Sequence, residues 1–193
     1  MRRARTKPAG ERRADLLAAG RALFLAKGIA ATSPEDITST AGCPKGLFYL
    51  YFRSKEDLLL GLPDEFSAEF AGRIRGAVAA EADWTIRLGA CVRVSFEYYR
   101  DRLDLHEILF HHAVHDAGQH RHEPLVAGVI ADLLTEGAAA GAFDAADPKM
   151  TAVLCYTSMR AFDPGFHGGG GELADERLRR AAQEFFRRSA GVR

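Results

Sequence analysis

Cysteine, methionine and tryptophan are scarce in this chain, at three, three and one among 193 residues. The three cysteines, Cys43, Cys91 and Cys155, are odd in number and far apart. That pattern argues against a disulfide framework and suits a reducing compartment. Long apolar runs are also missing. The longest stretch without a formal charge, Met150 to Met159, is far short of the roughly 20 residues a membrane-spanning helix needs. The basic opening, MRRARTKPAGERR, has no apolar segment behind it of the kind a secretory signal carries. No run alternates polar and apolar residues over the length of a strand, and no period repeats as in a solenoid. What remains is an all-α globular protein expected in the cytoplasm, with 47% hydrophobic residues to build a core.

Net charge is absent too, yet the balance is uneven. Residues 1–60 hold eleven Lys and Arg against six Asp and Glu, and residues 61–193 hold fifteen against twenty. A basic first third beside an acidic remainder points to a polyanion meeting only the first part, although chance clustering gives the same count.

Residues 1–10 read as a flexible basic arm. Leu16, Gly20, Leu23, Phe24 and Lys27 recur at helical spacing, and Gly28 stands where a C-terminal cap belongs. Ser33-Pro34-Glu35-Asp36 supplies an N-cap, a proline at the first helical position and a carboxylate three residues after the cap. A helix carrying Ile37 and Ala41 inward then ends at Gly42. Another starts near Pro44-Lys45 with Phe48 and Phe52 as core, and Ser54 to Asp57 repeats the cap-x-x-acid pattern. Helical spacing continues beyond residue 63, through about nine helices in all. Pro63, inside the fourth helical pattern, removes a hydrogen bond to the Leu59 carbonyl; it either kinks that helix or ends it at Leu62.

Two short helices around the turn Gly42-Cys43-Pro44 suit a helix-turn-helix, in which the second helix enters the major groove of DNA. Lys45 can donate to guanine O6 or N7, and Gly46 lets backbone approach closely. Tyr49 and Tyr51 can give hydroxyls to phosphates, and Lys55 adds its charge at the start of the next helix.

The run Arg12-Arg13-Ala14-Asp15-Leu16-Leu17-Ala18-Ala19, Leu23-Phe24, Gly28, Asp36-Ile37, Ala41-Gly42, Lys45-Gly46, Tyr49, Tyr51-Phe52 and Ser54-Lys55-Glu56 resembles the tetracycline-repressor (TetR) family in order and spacing. The resemblance implies an all-helical homodimer. A three-helix DNA-binding domain over 11–55 would precede a larger ligand-binding and dimerisation domain over 56–193. Such a protein represses from a palindromic operator in double-stranded DNA until a small-molecule effector binds. By this resemblance Lys45–Phe52 is the recognition helix, Tyr49, Tyr51 and Lys55 are phosphate clamps, and Ser33 is a further phosphate contact. Pro44, Leu47, Phe48 and Leu50 depart from the family pattern. Leu47 and Leu50 would touch a thymine methyl or a sugar. Glu35, where Arg is frequent, would accept from cytosine N4 or face solvent. Val153, Leu154, Thr157 and Ala161, with Leu178, Ala181, Ala182 and Phe185, would form the dimer face.

The resemblance also raises the odds of a pocket lined by Phe66, Phe70, Phe96, Tyr99, Phe110, Tyr156, Thr157 and Arg160, a set that equally suits a filled core. Six of the seven histidines lie between His106 and His122, and His111 and His115 share a helical face. Without an HExxH motif or a nearby cysteine they are read as solvated or structural, and neither metal nor cofactor is expected. The competing readings are a metal-dependent enzyme built on those histidines, and a helix-turn-helix module whose second half binds a protein.

Overall fold

The computed structural model describes residues 8–101, 123–162 and 171–192. Among them there are helices and no strands: α1 (Ala9–Lys27), α2 (Pro34–Thr40), α3 (Lys45–Tyr51), α4 (Lys55–Ala79), α5 (Trp84–Arg100), α6 (Glu123–Ala139), α7 (Pro148–Ser158), continued by a 3-10 turn (Met159–Phe162), and α8 (Gly171–Ser189). The helix expected over 103–115, and with it the histidine cluster from His106 to His122, lies outside the described residues. Two compact units form, one ending at Glu65 and the other beginning at Phe66.

In the first unit the expected core forms. Leu16, Leu17 and Phe24 of α1 are buried with Ile37, Phe48, Phe52, Leu58 and Leu62. A Cβ on Gly20 would lie 2.5 Å from the Leu58 side chain, so α1 and the start of α4 approach as closely as only glycine permits. This packing joins the start of α4 to the first unit.

The caps take the expected form. Ser33 Oγ accepts from the Asp36 amide at 3.2 Å, and Asp36 Oδ2 accepts in return from the Ser33 amide at 2.9 Å. The turn after α2 closes with Gly42 at φ 63°, while the Cys43 amide reaches back to the Thr38 carbonyl at 2.9 Å. At α4, Ser54 Oγ accepts from the Asp57 amide at 3.2 Å. The reciprocal bond differs, because the Asp57 carboxylate takes the Arg53 amide at 2.8 Å. Pro63 sits inside an unbroken α4, so the helix does not stop at Leu62.

The second unit packs aromatic and aliphatic side chains from the later part of α4 and from α5 to α8. Phe70 stacks on Tyr98 with ring centroids 4.7 Å apart, and Tyr99 meets Phe70 edge-on at 5.7 Å. The buried Tyr98 hydroxyl donates to the Phe66 carbonyl at 3.0 Å, a bond that also ties α5 to α4. Cys91 and Cys155 are buried here, and burial pushes both thiols up to about 12, so they stay protonated and unreactive.

Asp36 lends itself to a pH test. The Lys27 ammonium at 2.7 Å, followed by the Ser33 amide and hydroxyl, holds its carboxyl at about 2, below the ordinary 3.8. A depressed carboxyl contributes stability above its unfolded value and loses it as the folded value is approached. Acid unfolding should therefore show a loss between about pH 4 and pH 2 that D36N lacks. An unchanged acid limb in D36N, followed by helical circular dichroism, would refute the assignment.

Candidate nucleic-acid interface

α3 buries one side and exposes the other. Phe48 is fully buried and packs against Phe52 at 5.7 Å. Tyr49 and Leu50, by contrast, are 54% and 77% exposed. Leucine has no hydrogen bond to offer water, so an outward Leu50 adds nothing to the fold. Gly46 is exposed, and a Cβ added there would meet nothing within 4 Å. Packing does not require this glycine, which costs about 1 kcal/mol relative to alanine inside a helix. A bare backbone on an exposed helical face suits close approach by an outside partner. Leu47 and Tyr51 are half-buried and flank this face.

Glu35, from the first turn of α2, and Lys45, the first residue of α3, form an exposed ion pair. The Lys45 hydrogen bond is the main cause that lowers the Glu35 carboxyl, and the same bond raises the Lys45 ammonium. Glu35 therefore neither stands alone in solvent nor waits singly for a base. The two candidate base readers are already in contact.

Lys55, expected as a phosphate clamp, is engaged within the fold. Its ammonium donates to the carbonyls of Ile29, Thr32 and Ala30 at 2.7, 2.9 and 3.2 Å. Those bonds use the three donors of the side chain, so Lys55 holds the α1–α2 linker against the start of α4 and is not poised as a free phosphate clamp. Ser33 is likewise engaged, its hydroxyl donating to Asp36 Oδ2 at 2.8 Å while it caps α2. Beside them runs an open groove of about 450 Å³, lined by Ser33, Tyr49, Arg53, Ser54, Lys55 and Glu56 together with residues 30–32 and 34. Arg53 was not singled out by sequence reasoning. Arg53 is exposed and lines the groove together with Tyr49. Its position between the recognition helix and the Ser54 cap was the available signal.

The second unit treats the expected pocket residues unevenly. Phe70, Phe96 and Tyr99 are buried among packed rings, while Phe66 and Tyr156 are partly buried against that cluster. Thr157 does not join them. It is exposed and donates to the Val153 carbonyl at 2.8 Å, because its turn of α7 faces away from the core. Phe110 and the Arg160 side chain lie outside the described residues. On the outward face of α7, Met150, Val153 and Leu154 are 56%, 47% and 58% exposed, and Phe185 of α8 is 42% exposed. Among the described residues no group of three His, Cys, Asp or Glu could hold a metal, and no helix is long and apolar enough to cross a membrane.

Residues 16–62 match the family described as bacterial regulatory proteins, tetR family. The transcriptional repressor KstR2 of Rhodococcus jostii is 35% identical over 86 residues, covering 45% of this chain and 42% of that protein. The transcriptional activator FasR of Mycolicibacterium smegmatis is 28% identical over 109 residues, covering 56% and 50%. The chain thus aligns with half or less of the length of these relatives, which are regulators of transcription and not enzymes. Two solved structures share the all-helical fold over nearly the whole chain. The fatty acid degradation regulator FadR of Bacillus halodurans has a TM-score of 0.70 at 19% identity, covering 93% of this chain and 97% of its own. A TetR-family regulator of Pectobacterium atrosepticum has a TM-score of 0.72 at 24% identity, covering 96% of each.

The different tasks of Arg53 and Lys55 separate in experiment. R53A should lower affinity for every DNA sequence and reduce the salt slope by about one, with stability unchanged. K55M should lower the stability of the reading head by about 2 kcal/mol, the scale of a lost charged hydrogen-bond set. Urea unfolding of both variants decides the matter, and a K55M as stable as the parent would contradict the holding role.

Proposed function

We propose that this chain, whose residues 16–62 match the tetR family, is a transcriptional regulator of that family and acts as a homodimeric repressor. It binds a palindromic operator in duplex DNA and leaves it when a small organic molecule enters the second unit. The observation that carries this reading is the outer face of α3. Tyr49 and Leu50 stand exposed over a buried Phe48, Gly46 is bare, and Arg53 opens on a groove beside them. Tyr49, Tyr51 and Arg53 take phosphates, which sets register, while Lys45, Leu47 and Leu50 face base edges. Ser33 and Lys55 support the groove from behind.

The exposed apolar stripe of Met150, Val153 and Leu154 on α7, with Phe185 and Ala181 on α8, supports a second copy as partner. A twofold pairing of one apolar face with itself is the commonest way to close such a surface. For the effector, the support is the aromatic cluster of the second unit. Phe70, Tyr98 and Tyr99 already pack ring on ring, so an apolar ligand would enter by displacing Phe66 or Tyr156. One named relative represses and another activates; repression is our reading for this chain.

Selection from randomised duplex DNA should enrich a palindrome, and failure to enrich any sequence would sink the proposal. The double variant V153E/L154E should sediment as a monomer and bind the selected operator about a hundredfold more weakly, the order of avidity lost with a second site. A dimer that survives both charges would move the interface elsewhere.

A further inference from the structure

We propose that Glu35 and Lys45 read DNA as one unit, selecting a G·C base pair in each half-site. The inference rests on the reading that α3 enters the major groove, and goes beyond it in assigning a base pair to a pair of side chains. Glu35 and Lys45 come from different helices and meet as an ion pair on the exposed face, with side chains 50% and 60% accessible. Exposed ion pairs add little to stability, so the fold supplies no strong reason for this one. A carboxylate facing DNA is also unfavourable by itself, since it repels phosphates. It becomes useful where a base offers a donor.

The hydrogen-bond pattern of the pair matches one base pair better than the others. An ammonium has three donors, and a carboxylate only accepts. In contact, they present donors beside an acceptor. The major-groove edge of G·C shows guanine N7 and O6, both acceptors, and then the cytosine N4 donor. Lys45 can keep one hydrogen on Glu35 and give two to N7 and O6, while the carboxylate takes the N4 hydrogen. An A·T pair in the same orientation keeps N7 for Lys45 but sets the adenine N6 donor against the ammonium and thymine O4 against the carboxylate, so two of the three contacts fail. Reversal to T·A keeps thymine O4 for Lys45 and the adenine N6 donor for the carboxylate but replaces N7 with a methyl group, so one contact of the three is lost. C·G sets a donor against the ammonium again.

Charge gives an independent signature. The pair is neutral as a unit, so it reads a base while displacing few counterions from DNA, unlike a lone lysine. Glu35 also keeps Lys45 from settling on any phosphate. The carboxylate would thus raise specificity by lowering affinity for the wrong sequences.

The test uses the full chain and the operator enriched by the parent protein, with each base pair of the half-site replaced in turn. One position should prefer G·C over A·T by roughly tenfold. E35A and K45A should each reduce that preference to about twofold, and the double variant should lose no more than either single one. E35A should in addition bind random DNA more tightly and steepen its salt dependence by about one, because Lys45 then acts as a free cation. Both side chains are exposed, and matching melting curves will show that the variants fold. An operator with no such position, an E35A that keeps the G·C preference, or losses that add as separate contacts would overturn the pair. If the parent enriches no sequence at all, the DNA reading itself falls and the pair with it.

Discussion

The reading head depends on one cation meeting three carbonyl oxygens. Ile29, Ala30 and Thr32 lie in the linker between α1 and α2, where the chain turns and leaves carbonyls without helical partners. The Lys55 ammonium answers all three from the first turn of α4. Ser33 follows this linker immediately and caps α2, so the position of α2 is inherited from the contact. Glu35 in the first turn of α2 then reaches Lys45 on α3. A neutral side chain could not replace Lys55, since no other flexible group carries three donors on one atom.

From that anchor the head divides its work. Stability comes from Leu16, Leu17, Phe24, Ile37, Phe48 and Leu58, all turned inward, from the reciprocal cap at Ser33 and from the Ser54 cap of α4. The outer face of α3 contributes little to folding, which leaves Gly46, Tyr49 and Leu50 free to suit a partner. Two kinds of charge lie on or beside that face. Arg53 borders the groove as a positive group suited to phosphate, whereas Glu35 and Lys45 cancel each other and suit a base edge. The second unit shows a parallel division between a ring-packed interior and an apolar outward stripe on α7 and α8.

Much of this was legible in the chain itself. Ser33-Pro34-Glu35-Asp36 announces a capped helix start because the capping bonds span three residues and need no distant partner. Phe48 and Phe52, four apart, announce a buried side, and Gly42 announces the turn through its positive φ. Other features were not legible there, for one physical reason. Lys55 looks like a phosphate clamp when viewed beside Ser54 and Glu56. Its partners lie 26, 25 and 23 residues away, and no local spacing reveals them. Thr157 follows the aromatic Tyr156 in sequence, yet one residue along a helix turns the side chain by about 100° and carries it outside.

The sequence by itself determined where α1, α2 and α3 begin and end, which residues form the core of the first unit, and that the first sixty residues suit DNA. These follow from backbone hydrogen bonding and hydrophobic period, which act within one or two turns. Tertiary structure alone decided that Lys55 holds a loop, that Arg53 opens on the groove, and that Glu35 meets Lys45. Those outcomes depend on groups from separate helices arriving at one point, and only the packing of α1, α2, α3 and α4 against a shared core sets where that point lies.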